Sequence, residues 1–201
     1  MAHKPRKEMI AETRAKLVGA ARQAFGTVGY AEASMDDFTA AAGLTRGALY
    51  HHFGDKKGLL QAVIAEIDAE MGARMREVSQ NAKSAWRGFV DENIAYIEMA
   101  LEPEIQRIVL RDGPAVLGDP STWPNQGECV RAMSTNLERL RDDGTIIDVD
   151  PEAVAQLLNG AMLQASLWIA NAQDPAATSK KAVGAFKALL DGLLTEVRKP
   201  A

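Results

Sequence analysis

The amino-acid sequence predicts an all-α fold of about nine helices. Apolar residues recur three to four positions apart in most segments, which is the spacing of one helix face, and no segment alternates convincingly with a period of two. Gly-Pro, Asp-Pro and Trp-Pro pairs mark several of the joints between these segments. We expect an N-terminal domain of three helices over residues 1–58, and a long helix that joins it to a helical domain over residues 59–201.

Three helices are expected in the N-terminal domain. The first runs from about residue 12 to residue 28 and carries an apolar stripe at four-residue spacing. Ser34 then caps a short helix, whose first turn holds two aspartates where the helix dipole favours negative charge. Gly43 supplies a tight turn, because this position needs a residue that tolerates positive φ. Thr45 caps a second short helix, over residues 46 to about 52.

The second short helix has two unlike faces. Leu49 and Phe53 are four residues apart and face inward together with Leu44, whereas Arg46 and Tyr50 form another four-spaced pair that points elsewhere. The apolar face of such a helix packs on the core of the domain, and the opposite face is free to contact another molecule. This is the helix-turn-helix arrangement, in which the second helix enters the major groove of DNA.

The same region resembles the N-terminal domain of the TetR/AcrR family of bacterial transcriptional regulators, over roughly residues 10–65. The matching features are Phe25-Gly26, Gly29-Tyr30, Ser34, Ala41-Ala42-Gly43, Leu49-Tyr50-His51-His52-Phe53 and Lys56. Phe38 departs from the family, which usually has a smaller aliphatic residue there, but it still lies on an apolar face. More loosely, residues 106–118 and 142–161 resemble a common C-terminal subgroup. The resemblance implies a ligand-responsive, homodimeric regulator, most often a repressor.

Arg46 is the best candidate for reading a base. The first residues of a recognition helix lie nearest the base edges, and a guanidinium bonds bidentately to guanine O6 and N7. The alternative role of Arg46 is a phosphate clamp. Gly47 and Ala48 would allow close approach, and the Ala48 methyl group could touch a thymine methyl.

Contacts to the DNA backbone are implied by the family motif. The positions that resemble its phosphate-contacting residues are Ser34, Thr45, Tyr50, His52 and Lys56, and His51 is a further candidate. Lys56 also stands beside a helix N-terminus, whose N–H groups attract phosphate. The pair His51-His52 does not indicate a metal site, because adjacent helical residues point about 100° apart and no third ligand lies within a turn. We expect no metal and no cofactor.

The charge of the chain is divided unevenly. The net charge is −4, but residues 1–60 hold nine Lys/Arg and six acids, or +3, so the remainder carries −7. A basic N-terminal part (residues 1–60, the head) joined to an acidic remainder (residues 61–201, the body) suits binding of DNA phosphates, although a charge of +3 is small enough to arise by chance. Lys4, Arg6 and Lys7 form either a basic arm for the minor groove or a solvated tail.

A long helix is expected from Asp55 to about Ser79, with apolar residues four apart. The domain boundary falls inside this helix and is therefore not a flexible linker. The further helices are expected at about residues 85–101, 103–111, 126–142, 151–171 and 179–198.

A small-molecule pocket in the body is implied by the family resemblance. Independently, the body is rich in methionine and aromatic residues, which suit an apolar ligand, although the same residues are commonly ordinary core. The ligand-binding candidates are Met71, Met75, Trp86, Phe89, Met99, Arg107, Trp123, Met133, Met162 and Trp168. Arg107 could receive an anionic group together with Arg111, unless it pairs with Glu104. The loop over residues 113–127 is long enough to act as a lid.

The last two helices, at about 151–171 and 179–198, combine apolar faces with small residues that permit close helix packing. In the family this pair forms the four-helix dimer interface. A homodimer also follows from function, since two heads must lie about one helical turn of DNA apart to read a palindrome.

Three classes of protein compete at this stage. They are a regulator controlled by a small effector, a helix-turn-helix protein controlled by a protein partner or by no ligand, and an all-helical enzyme. The sequence has no Glu-x-x-His pair, no HExxH, no Gly-rich phosphate loop and no histidine in the domain of Cys129, which argues against an enzyme.

The sequence also indicates a cytoplasmic protein. One cysteine excludes an internal disulfide framework, and the basic N-terminus is not followed by the apolar stretch of a secretory signal. We expect no membrane span, on the grounds that charged residues interrupt every helical segment.

Overall fold

The computed structural model describes residues 5–195. Within that range the all-α prediction is confirmed, with nine α-helices and no strand. The helices are α1 (Arg6–Val28), α2 (Met35–Ala41), α3 (Arg46–Phe53), α4 (Lys56–Gln80), α5 (Ala85–Met99), α6 (Gly113–Leu117), α7 (Gln126–Asp142), α8 (Pro151–Asn171) and α9 (Pro175–Asp191). A π-helical segment, Ile105–Asp112, runs directly into α6, and a short 3-10 turn covers Pro120–Thr122.

The chain divides into two compact units. The first contains the residues up to 68 together with 103–118, and the second contains 69–102 together with 119 onwards. The sequence prediction put a domain boundary at 58/59, and it did not anticipate that residues 103–118 pack with the N-terminal helices. Helix α4 contributes residues to both units.

The core of the first unit is built from the apolar faces of the N-terminal helices and the π-helical segment. Its fully buried side chains include Leu17, Phe25, Phe38, Leu49, Leu59, Leu60 and Ile108. Phe38, the departure from the family pattern, meets Phe25 edge to face with ring centroids 6.0 Å apart. The larger side chain therefore occupies a core position, and aromatic pairs in this geometry are favourable.

Helix α1 begins at Arg6, earlier than residue 12. Arg6 and Lys7, for which the sequence left a basic arm and a solvated tail open, are exposed in the first turn of this helix. Lys4, the third residue of that arm, lies outside the described residues.

The second unit packs α8 against α7 and α9, with α5 against α8 and α9. Helix α9 spans 175–191 rather than 179–198, because the Asp174 side chain accepts a hydrogen bond from Ala177 N and Pro175 occupies the first turn. After the helix ends, Ile147 N donates to Leu193 O at 2.8 Å and Thr195 N to Thr145 O at 3.2 Å. These bonds draw the chain away from a helical path.

Two further expectations are corrected. Residues 113–127 do not form one long lid loop, because α6, the 3-10 turn and the first turn of α7 account for much of the segment. Helix α8 has a single charged residue, Glu152, so it is not interrupted by charge. By length and composition alone it could cross a membrane, which is weak evidence, since the core helices of soluble proteins pass the same test.

Candidate nucleic-acid interface

Helices α2 and α3 form the predicted helix-turn-helix. The Ser34 hydroxyl accepts from Asp36 N at 3.2 Å and the Thr45 hydroxyl accepts from Ala48 N at 3.3 Å, so both predicted N-caps are confirmed. Gly43 adopts φ +66° in the turn, which a side chain would strain. Local sequence alone therefore sets the beginning of each helix and the turn between them.

Helix α3 buries one face and exposes the other. Leu49 is fully buried, and it holds the helix on the core. The exposed residues are Arg46, Gly47, Tyr50 and His51, which share one side of the helix because the pairs 46/50 and 47/51 are four positions apart and the pair 47/50 is three apart. Ala48 and His52 are half-buried on the other side. The structure thus brings a cation, a phenol and an imidazole together on one solvent-facing surface.

Arg46 is paired with Asp36 of α2 through both carboxylate oxygens. Sequence reasoning had given Asp36 only a role in the helix dipole. The pair is well exposed, so it contributes at most about 1 kcal/mol to stability and opens easily. To contact a guanine, the Arg46 guanidinium must break at least one of its hydrogen bonds to the Asp36 carboxylate. Asp36 therefore affects how readily Arg46 can bind DNA.

Arg14 of α1 supports the far end of α3, a role that the sequence did not reveal. Its Nη1 donates to His52 O at 3.0 Å, and its guanidinium lies 4.5 Å from the centre of the Phe53 ring. A cation at this place satisfies a carbonyl of the last turn and complements the helix dipole. Burial, His51 and Arg14 together lower the pKa of His52, which favours the neutral imidazole.

Lys56 is turned toward the loop after α1. Its Nζ lies 4.5 Å from the centre of the Tyr30 ring and 3.3 Å from Ala31 O. Burial lowers the pKa of Lys56, and the nearby carboxylates of Glu32 and Asp112 raise it. The ammonium at the N-terminus of α4 is thus held by defined partners rather than extended freely into solvent.

The ligand-binding candidates, apart from Arg107, belong to the second unit. Met71, Phe89, Met99, Met133 and Met162 are buried, while Met75, Trp86 and Trp123 are half-buried. Trp86 stacks on Phe89 with ring centroids 6.0 Å apart. Trp168 is 50 % exposed, so it lies on the surface of the described chain. Side-chain burial alone does not separate ordinary core from ligand contact, so these assignments remain predictions.

Arg107 belongs to the first unit and hydrogen-bonds the end of α1. Its Nη1 donates to Thr27 O at 2.6 Å and to Gly26 O at 3.4 Å. Helix α1 has no basic residue in its own last turn, so Arg107 supplies the cation that its C-terminal carbonyls attract. Glu104 pairs with Arg22 at 2.8 Å rather than with Arg107. An open cavity of about 550 Å³ lies beside Arg107 and Arg111.

Comparison with known families covers both parts of the chain. Residues 17–63 match the family described as bacterial regulatory proteins of the tetR family. Residues 86–193 match the tetracycline repressor-like C-terminal domain, which alone accounts for more than half of the chain.

Individual relatives agree with these matches. The transcriptional repressor AcnR of Corynebacterium efficiens is 30% identical over 195 residues and is covered over 94% of its length, as is this chain. The transcriptional regulator TtgR of Pseudomonas putida is 45% identical over 61 residues, but the match spans only 29% of its length and 30% of this chain. A crystal structure of a TetR-family regulator from Pectobacterium atrosepticum is 49% identical, with a TM-score of 0.87 over 96% of this chain and 99% of that one.

Proposed function

Because the chain belongs to the TetR family of bacterial transcriptional regulators, we propose that it is a homodimeric repressor that a small, largely apolar effector releases from a palindromic operator. Its relatives are DNA-binding transcriptional regulators, and the chain is one as well, not an enzyme. Repression, the dimer and the effector are the parts of the proposal that need tests. Its place of action is the cytoplasm, where the operator lies.

One observation carries the DNA-binding half of the proposal. Helix α3 is held from behind by the buried Leu49, and it exposes Arg46, Tyr50 and His51 on a single face. Cationic and hydrogen-bonding side chains on an exposed, capped short helix are what major-groove reading requires. The experiment is a titration of the purified protein against DNA fragments that flank its own gene, followed by footprinting of any bound fragment. A symmetric footprint with two half-sites supports the proposal, and failure to prefer any fragment over random DNA contradicts it.

Lys56 is proposed to contact a DNA phosphate. We expect Lys56→Ala to weaken binding to all DNA sequences alike, because a phosphate contact carries no sequence information. The slope of log affinity against log salt should fall in magnitude by about one. Fluorescence anisotropy at several salt concentrations measures both quantities, with the exposed Lys83→Ala as control. An unchanged salt slope would show that Lys56 does not contact a DNA phosphate.

The dimer is proposed to form through α8 and α9. Leu157 is 75 % exposed, Trp168 50 % and Leu189 60 %, and large apolar side chains so exposed typically mark an interaction surface. Leu157 and Trp168 are eleven residues apart, close to three helical turns, so they share one face of α8. A Cβ at Gly160 or Gly184 would meet nothing within 4 Å, which leaves room for a partner helix to approach. We therefore assign Trp168 to this surface rather than to the effector site.

Two buried polar atoms of the second unit support an effector that is not purely hydrocarbon. The Trp123 indole Nε1 and the Ser166 hydroxyl are buried and have no hydrogen-bond partner among the described residues. A buried donor without a partner costs about 1–3 kcal/mol, so a bound molecule that accepts from it is favoured. We propose that the effector carries at least one acceptor oxygen within an otherwise apolar body.

Release of the operator is proposed to occur because the effector binds two conformations of the repressor with different affinities. Helix α4 continues from the DNA-binding head into the second unit, and effector binding is proposed to tilt it and change the spacing of the two α3 helices. The effector must bind the tilted conformation more tightly, since equal affinities would shift nothing.

Trp123→Phe tests the effector contact. Phenylalanine keeps an aromatic ring and lacks the N–H donor, so we expect about 2- to 10-fold weaker binding of any effector found for the wild type, the effect of losing one hydrogen bond. A thermal-shift screen of small molecules identifies such effectors, and release of labelled DNA gives the half-maximal concentration for each variant. Ile147→Val, a small change at an exposed apolar residue of the same unit outside α8 and α9, is the control. Equal concentrations for wild type and Trp123→Phe would exclude the contact.

A further inference from the structure

The turn after α1, Gly29–Ala31, touches Lys56 on one side. The Lys56 ammonium lies 4.5 Å from the centre of the Tyr30 ring and donates to Ala31 O at 3.3 Å. A cation over an aromatic face is attracted by the negative charge of the ring face. The position of this turn therefore sets the position of the Lys56 ammonium.

The π-helical segment also holds this turn. Tyr30 N donates to an Asp112 carboxylate oxygen at 2.8 Å, a charge-assisted hydrogen bond between residues 82 positions apart. Gly29 adopts φ +87°, and an added Cβ would lie 3.1 Å from the Arg107 guanidinium. Asp112 thus fixes the turn by a hydrogen bond at Tyr30, and Arg107 of the same segment leaves no room for a side chain at Gly29.

Asp112 also acts on Lys56 through its charge. It is one of the two carboxylates that favour the ammonium form of Lys56, the other being Glu32. Asp112 therefore affects the cation in two ways, by fixing the ring beneath it and by attracting it.

We propose that Asp112 is a positioning residue for the DNA-phosphate contact of Lys56, acting through the Tyr30 backbone and ring. Asp112 lies outside the helix-turn-helix, in the π-helical segment. This inference rests on the proposed phosphate contact of Lys56. According to this inference, the π-helical segment helps to determine the affinity for the DNA sugar-phosphate backbone, while α3 recognises the bases.

A double-mutant cycle tests the inference. We expect Asp112→Ala to weaken operator binding about 3- to 10-fold and to reduce the magnitude of the salt slope measurably, by no more than the value of about one expected for Lys56→Ala. The double variant should bind like Lys56→Ala alone, because both changes remove the same contact. Asp112→Asn keeps an oxygen that accepts from Tyr30 N, so it should recover most of the affinity lost in Asp112→Ala.

Glu104→Ala is the matched control. It removes the ion pair of Glu104 with Arg22, next to the π-helical segment, but leaves the bond to Tyr30 N in place. We expect the salt slope of Glu104→Ala to equal that of the wild type. If a general loosening of the π-helical segment caused the effect, the slopes of Glu104→Ala and Asp112→Ala would change alike. If Asp112→Ala loses its helical circular dichroism, Asp112→Leu replaces it, since leucine fills the space and lacks the acceptor.

The outcomes separate the inference from the function on which it rests. If Lys56→Ala binds with wild-type affinity and slope, the phosphate contact is wrong and the inference falls with it. If Lys56→Ala weakens binding while Asp112→Ala does not, or if the two effects add, the phosphate contact stands and the positioning role is overturned. A lower melting temperature with an unchanged slope would also overturn it.

Discussion

Arg46→Ala is expected to lower operator affinity about 5- to 150-fold for each half-site and to relax the preference for a guanine at one position of each half-site. A bidentate guanidinium contact is worth about 1–3 kcal/mol of discrimination, and a palindrome presents it twice. Binding to random DNA should change much less. Competition titrations with operators that carry each base at that position measure affinity and preference together.

The affinity of Arg46→Ala also depends on Asp36, and a second variant separates the two effects. Arg46→Ala leaves the Asp36 carboxylate without its partner near DNA, which adds repulsion that has nothing to do with base reading. Arg46→Ala combined with Asp36→Asn removes that repulsion. If the double variant regains both affinity and preference, Arg46 only neutralises Asp36 and does not read a base. Arg139→Ala, at an exposed arginine of α7, controls for net charge.

Leu157→Asp is expected to have an effect of similar size, because it separates the two heads. A charge in the centre of a buried helix interface is strongly unfavourable, so we expect the variant to be a folded monomer of 21.7 kDa. Separating the heads should lower affinity for a palindrome roughly 100-fold or more, since the second contact is no longer intramolecular. Light scattering and anisotropy on the same sample measure mass and affinity.

The control for this variant is Leu101→Asp, which changes another exposed leucine outside α8 and α9. It should remain a dimer and bind normally. A Leu157→Asp protein that remains dimeric, with unchanged affinity, would place the interface elsewhere.

The sequence was sufficient for those parts of the head that local chemistry determines. The caps at Ser34 and Thr45 and the turn at Gly43 depend on side chains within a few residues of the backbone they satisfy. Helical periodicity likewise predicted α4, α7 and α8 closely. The start of α9 was missed because the pair Asp174-Pro175 was interpreted as a joint, although it is also an N-cap followed by a first-turn proline.

Contacts between distant residues were not predictable in the same way. Arg107 and Asp112 bond to residues about 80 positions earlier, and nothing in their own sequence neighbourhood indicates those partners. The pairing of Arg46 with Asp36 depends on the angle between α2 and α3, which helical periodicity does not fix. The proposed effector site is the least predictable part, since buried methionines serve a core and a ligand equally well.

The most direct test of the central claim is the dependence of affinity on half-site spacing. Once an operator is footprinted, five base pairs are inserted at its centre, which turns one half-site about half a helical turn away from the other. Two heads held at fixed spacing by a dimer should then lose roughly 100-fold or more in affinity, while an insertion outside the operator changes nothing. Equal affinity for the original and the inserted operator would contradict a two-headed repressor.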